Sequence, residues 1–175
     1  MSAERWNLSP ERLYIDTWTR WFLRENLPWP TIEHACNVGI GYGEFDDWLA
    51  FALPLGAPLV SLDRDPAIVA AFAERQRTDG HPRPSEAVHG DLFTSDRGPF
   101  GLVTATGSTL HETGDVARAI EALVRLVAPG GWLYVVVLHS LGGDEPLDAV
   151  PGIVRLRRFT ELADAGLTAV LAQPR

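Results

Sequence analysis

The sequence predicts an α/β fold with a doubly wound, mostly parallel sheet. Short apolar segments typical of strands alternate along the chain with amphipathic segments of helical spacing. The first strand segment runs into a glycine-rich turn that opens a helix, and residues 132–139 form a continuous apolar run, which is typical of a parallel strand buried on both faces. This alternation implies right-handed crossovers and helices on both faces of the sheet.

The individual elements are predicted from these patterns. A first helix covers about 10–26, because Pro10 after Ser9 suits a helix start and aromatic residues then recur at helical spacing. Strands are predicted at 33–38, 57–63, 85–91, 101–106, 132–139 and 167–173, and further helices at 44–53, 65–77, 115–127 and 158–166. Stretches rich in Gly and Pro at 78–85 and 142–152 are predicted as loops.

Composition limits the classes of protein and partner. A chain of 175 residues with 46% hydrophobic content suits one core, so we expect a single domain over 1–175, with a helical cap at 1–30 and the sheet-bearing core at 31–175. No apolar run reaches the roughly 18 residues of a membrane span and no secretory signal is evident, so we expect a cytoplasmic protein without a membrane partner. The net charge of −8 disfavours nucleic acid and favours a small-molecule partner.

Metal binding is not indicated. The single cysteine, Cys36, excludes a disulfide framework and a cysteine metal cluster, and there is no H-E-x-x-H motif.

A glycine turn and a carboxylate form the first candidate site. Gly39, Gly41 and Gly43 follow the first strand, and glycine allows both a sharp backbone turn and close approach of a ligand. Asp63 ends the second strand about 20 residues further on, where a carboxylate can accept hydrogen bonds from both hydroxyls of a ribose. The alternative role for Asp63 is to cap the next helix, but Asp65 suits that role better.

A dinucleotide site is the competing interpretation of the same turn. That fingerprint requires G-x-G-x-x-G, whereas Glu44 follows Gly43 directly. The glutamate repels a pyrophosphate, although the helix dipole itself favours an anion. A ligand with a zwitterionic amino-acid tail fits the turn better.

Four motifs in order carry a family resemblance: "CNVGIGYG", "LVSLDRDP", "AVHGDLF" and "LVRLVAPGGWLYVVV". Over about residues 33–172 the chain resembles class I S-adenosylmethionine-dependent methyltransferases, which have a Rossmann-like fold. The resemblance implies that the three glycines lie against the methionine part of the cofactor. It also implies that Asp63, with Arg64 beside it, holds the ribose, that Asp91 accepts the adenine amine, and that the Leu92 backbone lies beside the ring.

The sequence departs from the family pattern in three places. Asn37 stands where an acidic residue is usual, which removes a negative charge near the ammonium of the cofactor. Gly101 replaces the aspartate that is usual before the fourth strand, but that position is often structural, so we expect little effect on function. Only 167–173 remains to form a strand after the fifth, so we expect one strand fewer than usual. Either a partner subunit in a homodimer covers the exposed edge, or Pro174 and Arg175 blunt it.

The resemblance also indicates where the acceptor enters. Thr106 and Gly107 follow the fourth strand and are expected near the sulfonium. A base is needed only for a hydroxyl or protonated amine acceptor, and His111, just after this strand, is the first candidate because its ordinary pKa lies near neutrality. His139 at the end of the fifth strand is the second. Tyr14 on the first helix is a further candidate, because its hydroxyl can reach a ligand.

The resemblance implies a methyltransferase, and we expect a small-molecule acceptor in specialised metabolism. The acidic charge and the absence of N-P-P-Y or D-P-P-Y at the fourth strand disfavour methylation of nucleic acids. Two alternatives stay open. The first is an enzyme that uses the same cofactor for cyclisation, rearrangement or cofactor cleavage, and the second is a binding module without catalysis.

Overall fold

The computed structural model describes residues 10–107, 109–138, 153–159 and 167–174. The helices are α1 (Pro10–Asn26), α2 (Glu44–Ala52), α3 (Pro66–Thr78), α4 (Thr109–Glu112) and α5 (Val116–Leu126), with a 3-10 turn at Trp29–Thr31. The strands are β1 (Ala35–Val38), β2 (Leu59–Asp63), β3 (Glu86–His89), β4 (Phe100–Ala105), β5 (Val127–Leu138), β6 (Ile153–Phe159) and β7 (Leu167–Pro174). The predicted alternation of strands and helices is therefore confirmed.

Seven strands of the described part of the chain form one mixed sheet in the order β3-β2-β1-β4-β5-β7-β6. The first five in this order are parallel, and β7 lies antiparallel between β5 and β6. The chain winds outward from β1 to β3 and then crosses back to β4, so the direction of winding reverses between β1 and β4. Ligands of doubly wound sheets bind at the carboxyl ends of the strands near such a reversal.

The expectation of a missing strand is wrong. Residues 153–159 form β6, which pairs with β7 from Ile153 to Phe159. This segment, I-V-R-L-R-R-F, lies at the edge of the sheet, and edge strands tolerate charged residues that interrupt the apolar pattern of a central strand. Because β6 covers β7, the argument for a partner subunit at that edge no longer applies.

Two other predictions change near the end of the chain. Arg158 and Phe159 belong to β6 rather than to the predicted helix at 158–166, and the rest of that helix lies outside the described residues. The predicted loop at 142–152 also lies outside them. The first strand after α5 begins at Val127, earlier than predicted, because the Ala-Pro-Gly-Gly segment is part of β5.

Helix α1, whose predicted bounds are confirmed, packs on one face of the sheet. Trp18 stacks on Phe22 with ring centroids 5.0 Å apart, and Phe22 lies 6.0 Å from the ring of Tyr134 in β5. The Tyr134 hydroxyl donates to Thr19 Oγ1 at 3.1 Å in the interior. The indole of Trp29, just before β1, donates to carbonyls in the last turns of α1, so the helix begins near the carboxyl ends of the strands.

The opposite face of the sheet is covered by α5. Apolar residues recur at every third or fourth position of this helix, and Ala119, Ile120 and Leu123 are fully buried in the core shared with β4 and β5. Asp115 caps the helix by accepting the Arg118 N–H at 3.0 Å. Within the described residues, no helix is long and apolar enough to cross a membrane.

Candidate functional site

The glycine turn lies between β1 and α2. Gly39, Gly41 and Gly43 have φ values of +87°, +55° and +77°, which L side chains rarely adopt. Their surroundings differ, because a Cβ on Gly39 would overlap the side chain of Thr109 and one on Gly43 would overlap the ring of Phe72. A Cβ on Gly41 would meet nothing within 4 Å. All three glycines shape the turn, but only Gly41 leaves open space beside it.

Asp63 joins the turn to the end of β2. Its Oδ2 accepts the Ile40 N–H at 2.8 Å, and its Oδ1 accepts the Asp65 N–H at 2.9 Å. Asp65 accepts the Ala67 N–H at 2.8 Å and is the N-cap of α3, as the sequence predicts. An ionised carboxylate offers about four acceptor positions, so Asp63 keeps capacity for two further donors.

A cleft opens at the carboxyl ends of β1, β2 and β3, beside the glycine turn. The predicted cofactor residues that line it are Gly39, Asp63, Arg64, Asp91 and Leu92, and the further lining residues are Val38, Leu62, Gly90, Phe93, Thr109, Glu112 and Thr113. Asp91 also stabilises its own loop, since its Oδ1 accepts the Phe93 N–H at 2.8 Å. Two carboxylates from neighbouring strands therefore face one cleft.

Helix α4 forms the wall of the cleft opposite β2. Thr109 begins it and donates through Oγ1 to the Thr106 carbonyl at 3.0 Å. Glu112 ends it and lies 4.0 Å from Arg64 across the mouth of the cleft, in an exposed pair that stabilises little. The sequence does not predict this wall, because a helix of four residues has no periodic pattern to detect.

A buried polar network lies beneath the turn. Asp46, on α2, accepts the Ser61 hydroxyl at 2.5 Å on Oδ1 and the Asn37 amide at 3.0 Å on Oδ2. The Asn37 amide also donates to the Gly39 carbonyl at 3.2 Å, and its oxygen accepts the Thr104 hydroxyl at 2.8 Å. Burial raises the pKa of Asp46 to about 7, although the hydrogen bonds from Ser61 and Asn37 lower it. The sequence does not single out Asp46, because it resembles an ordinary helix-start acid.

The remaining predicted residues lie away from the lining of the cleft. Asn37 is completely buried in the polar network, and Gly41 and Gly43 shape the turn from outside the lining. Thr106 and Gly107 follow β4 directly. His139 lies outside the described residues.

Two of the three candidate bases, His111 and Tyr14, lie within the described residues. His111 lies on α4, between the cleft-lining residues Thr109 and Glu112, and burial lowers its pKa from the ordinary value. Tyr14 lies on α1 beside the buried Ile15 and one turn before the buried Trp18, and with 53% of its surface exposed it lies on the outer side of that helix. His111 is therefore close in sequence to residues of the cleft wall, but it is not itself one of the lining residues.

The family of the chain follows from its sequence. A family model described as a methyltransferase domain matches residues 36–135, more than half of the chain. No curated protein matches the sequence.

Solved structures share the fold at low sequence identity. The N-methyltransferase NodS from Bradyrhizobium japonicum WM9, in complex with S-adenosyl-l-homocysteine, matches with a TM-score of 0.73 and 17% identity over 97% of this chain and 90% of that chain. The CurJ carbon methyltransferase matches with a TM-score of 0.75 and 15% identity over 98% of this chain and 57% of that chain. The [4+2]-cyclase SpnF matches with a TM-score of 0.70 and 18% identity over 91% and 80%. Such identities show a common fold and not a common activity.

The motifs, the strand order and the family model agree. The chain therefore belongs to the methyltransferase domain family, and its fold is that of the class I members, whose cofactor is S-adenosylmethionine.

Proposed function

We propose that this chain transfers the methyl group of S-adenosylmethionine to a small-molecule acceptor. The observation that carries the proposal is the pair of carboxylates, Asp63 and Asp91, that line one cleft beside the glycine turn. An adenosine offers hydroxyl and amine donors, and carboxylates are the strongest acceptors for them among protein side chains.

The adenosine part fits the acceptor groups of the cleft. Each oxygen of Asp63 accepts one backbone N–H, and the unused lone pairs suit the two ribose hydroxyls. One oxygen of Asp91 accepts the Phe93 N–H, and the carboxylate can take the adenine amine as a further donor. Leu92, only 7% exposed, supplies an apolar surface for the ring.

The methionine part fits the glycine turn. The space beside Gly41 is open, whereas Thr109 and Phe72 already occupy the spaces beside Gly39 and Gly43. The zwitterionic end of the ligand therefore has its access to the backbone at Gly41. Glu44 at the start of α2 is paired with Arg12, whose Nη2 lies 2.6 Å from Glu44 Oε2, so its charge is already balanced and the discrimination against a pyrophosphate depends on the missing third glycine of the dinucleotide fingerprint.

The cofactor supplies a methyl group already activated by the sulfonium, and the electron pair of the broken carbon–sulfur bond stays on sulfur. The protein then has to align the acceptor, exclude water and, for a hydroxyl or a protonated amine, remove a proton. We assign that proton to His111, because it lies on α4 between the lining residues Thr109 and Glu112 and its lowered pKa favours the neutral ring that a base requires.

A small molecule is the acceptor class that the charge of the chain favours. The net charge of −8 opposes association with a phosphate backbone, which requires a basic surface.

Calorimetric titration tests the cofactor assignment. We expect S-adenosylmethionine and S-adenosylhomocysteine to bind with one site each, and NAD, which shares the adenosine part but carries a pyrophosphate, not to bind. Absence of binding by both sulfur ligands would refute the proposed function.

Mass spectrometry of reactions with candidate acceptors tests the transfer step. A product heavier than the acceptor by one methylene group, formed together with S-adenosylhomocysteine, supports methyl transfer. A product of unchanged mass would indicate cyclisation or rearrangement, and cofactor breakdown without an acceptor product would indicate cleavage. Either result contradicts the proposed transfer while leaving cofactor binding intact.

A further inference from the structure

A buried carboxyl group, Asp46, lies beneath the glycine turn and has no role in the proposed reaction. It is completely buried in the first turn of α2, where the surrounding polar groups come from β1, β2 and β4. Burying a carboxyl group costs free energy unless it is well hydrogen-bonded. The position of this group therefore calls for a functional explanation.

The hydrogen bonds of Asp46 suit its ionised form. Ser61 donates to one oxygen at 2.5 Å and Asn37 donates to the other at 3.0 Å. Ser61 Oγ also lies 2.9 Å from Ser85 Oγ, which lies 3.5 Å from Gln76 Oε1. When Asp46 is protonated, this hydroxyl chain can reverse, with Asp46 donating to Ser61. The site can therefore hold either form, and it offers two donors to the ionised one.

Asn37 connects Asp46 to the turn. One amide group donates both to the carboxylate and to the Gly39 carbonyl, at 3.0 and 3.2 Å, while its oxygen accepts from Thr104 at 2.8 Å. A flipped amide would place the Asn37 oxygen against the carboxylate. Ionised Asp46 therefore selects the amide orientation that holds the Gly39 peptide.

We propose that Asp46 is a positioning residue of the cofactor site: its carboxylate, acting through Asn37, holds the Gly39 end of the turn and places a negative charge beneath the ammonium group of the bound ligand. This inference rests on the proposed binding of S-adenosylmethionine. A charge in the interior acts over a longer range than one in water, because the surrounding dielectric constant is low.

Other charged and titratable groups surround this part of the fold. Asp47, the next residue of α2, lies 2.7 Å from Arg75 of α3 and 3.7 Å from His81 in the loop after α3. Cys36 on β1 has its pKa raised to about 12 by burial and by the charge of Asp46, so the thiol stays neutral. Because Arg75 lies 2.7 Å from Asp47, it neutralises the charge of this neighbouring carboxylate.

A cationic ligand above Asp46 favours the ionised carboxyl group. The affinity for S-adenosylmethionine is therefore expected to rise with pH until Asp46 is fully ionised in the free protein, and then to become constant. Protonation of Asp46 at lower pH removes the charge and weakens binding.

Calorimetric titration of the full chain with S-adenosylmethionine at pH 6 and pH 8 tests the proposal. We expect Asp46→Asn to weaken binding at pH 8 by about tenfold, because a charge interaction that shifts a pKa by about one unit changes a binding constant about tenfold. The variant should bind S-adenosylmethionine almost equally at the two pH values. The matched control is Asp47→Asn, which removes a carboxylate from the same helix turn and should keep the wild-type affinity and pH dependence.

An exchange variant separates the charge from general damage to the fold. Asn37→Asp combined with Asp46→Asn keeps one carboxylate and one amide in the same buried pair, so it should bind more tightly than Asp46→Asn alone and regain the pH dependence. Circular dichroism melts establish that each variant is folded. If Asp46→Asn does not fold, the exchange variant decides the question alone, and loss of its pH dependence overturns the proposal.

The two levels of inference fail differently. A wild-type chain that binds no S-adenosylmethionine refutes the proposed function. A wild-type chain that binds it, with a folded Asp46→Asn variant of equal affinity and equal pH dependence, refutes only the positioning role.

Discussion

The ring of Phe72 lies against Gly43, so the last glycine of the turn makes room for helix α3 rather than for a ligand. Gly41, two residues earlier, has the same left-handed backbone but open space beside it. Two glycines of one motif therefore meet different requirements, one of packing and one of ligand access.

Alanine at these two glycines should have different effects. Gly43→Ala should lower the free energy of unfolding by about 3 kcal/mol, from left-handed strain plus displacement of Phe72. Gly41→Ala should lower it by about 1 kcal/mol, from strain alone, and should mainly weaken S-adenosylmethionine binding. Urea unfolding and calorimetry measure the two effects. Equal losses of stability would contradict the packing role of Gly43.

Asp63 should be necessary for binding and Asp65 only for stability. Asp63→Ala removes the acceptor of the Ile40 N–H and the ribose acceptor together, so affinity should fall by about a hundredfold, as for two charged hydrogen bonds. Asp65→Ala removes only the cap of α3 and should cost about 1 kcal/mol of stability. Calorimetry and thermal melts distinguish these outcomes, and wild-type affinity in Asp63→Ala would refute the ribose role.

The free energy of unfolding should depend on pH because the pKa of Asp46 is raised in the folded state. This pKa is raised from 3.8 to about 7 in the folded state, so the folded state binds more protons than the unfolded state between these values. The stability contributed by Asp46 is therefore fully present below about pH 3.8 and is lost as the pH rises through about 7.

Urea unfolding of wild type and Asp46→Asn at several pH values measures this effect. As the pH rises from 5 to 8, the wild type should lose on the order of 2 kcal/mol of unfolding free energy relative to Asp46→Asn. A constant difference across this range would show that Asp46 has an ordinary pKa.

His111 should titrate below the ordinary histidine value. Burial lowers its pKa from 6.5, so the Cε1 proton resonance in NMR spectra should show a midpoint under that value. With a hydroxyl acceptor, His111→Gln should reduce kcat by about a hundredfold without changing the affinity for S-adenosylmethionine. An unchanged kcat with such an acceptor would remove His111 from the reaction.

Local chemistry explains which predictions from sequence are confirmed. The glycine spacing, the proline after Asp65 and the apolar run of β5 each depend on neighbouring residues, and each predicts its element correctly. The sequence does not predict the edge strand β6, because its arginines interrupt the apolar pattern. Its pairing partner β7 also lies in a separate segment of the sequence. Periodicity does not report strand pairing between distant segments.

In the candidate site too, sequence patterns do not reveal contacts between distant segments. Asp63 is predicted from its place at the end of a recognisable strand and Asp91 from the family resemblance, and both line the cleft. Thr109 and Asp46 are not predicted, since their contacts with Gly39 and Asn37 join residues that are far apart in the chain or lie on different elements. Their roles depend on tertiary packing, which no short motif records.

The position of β7 has a consequence for folding during synthesis. This strand comes after β5 and β6 in the chain, yet it lies between them and pairs with both. Until residues 167–174 leave the ribosome, β5 has a free edge and β6 has no strand to pair with. Domains generally fold as units during synthesis, and an unpaired strand edge favours aggregation. The nascent chain should therefore be most prone to aggregation just before residues 167–174 leave the ribosome.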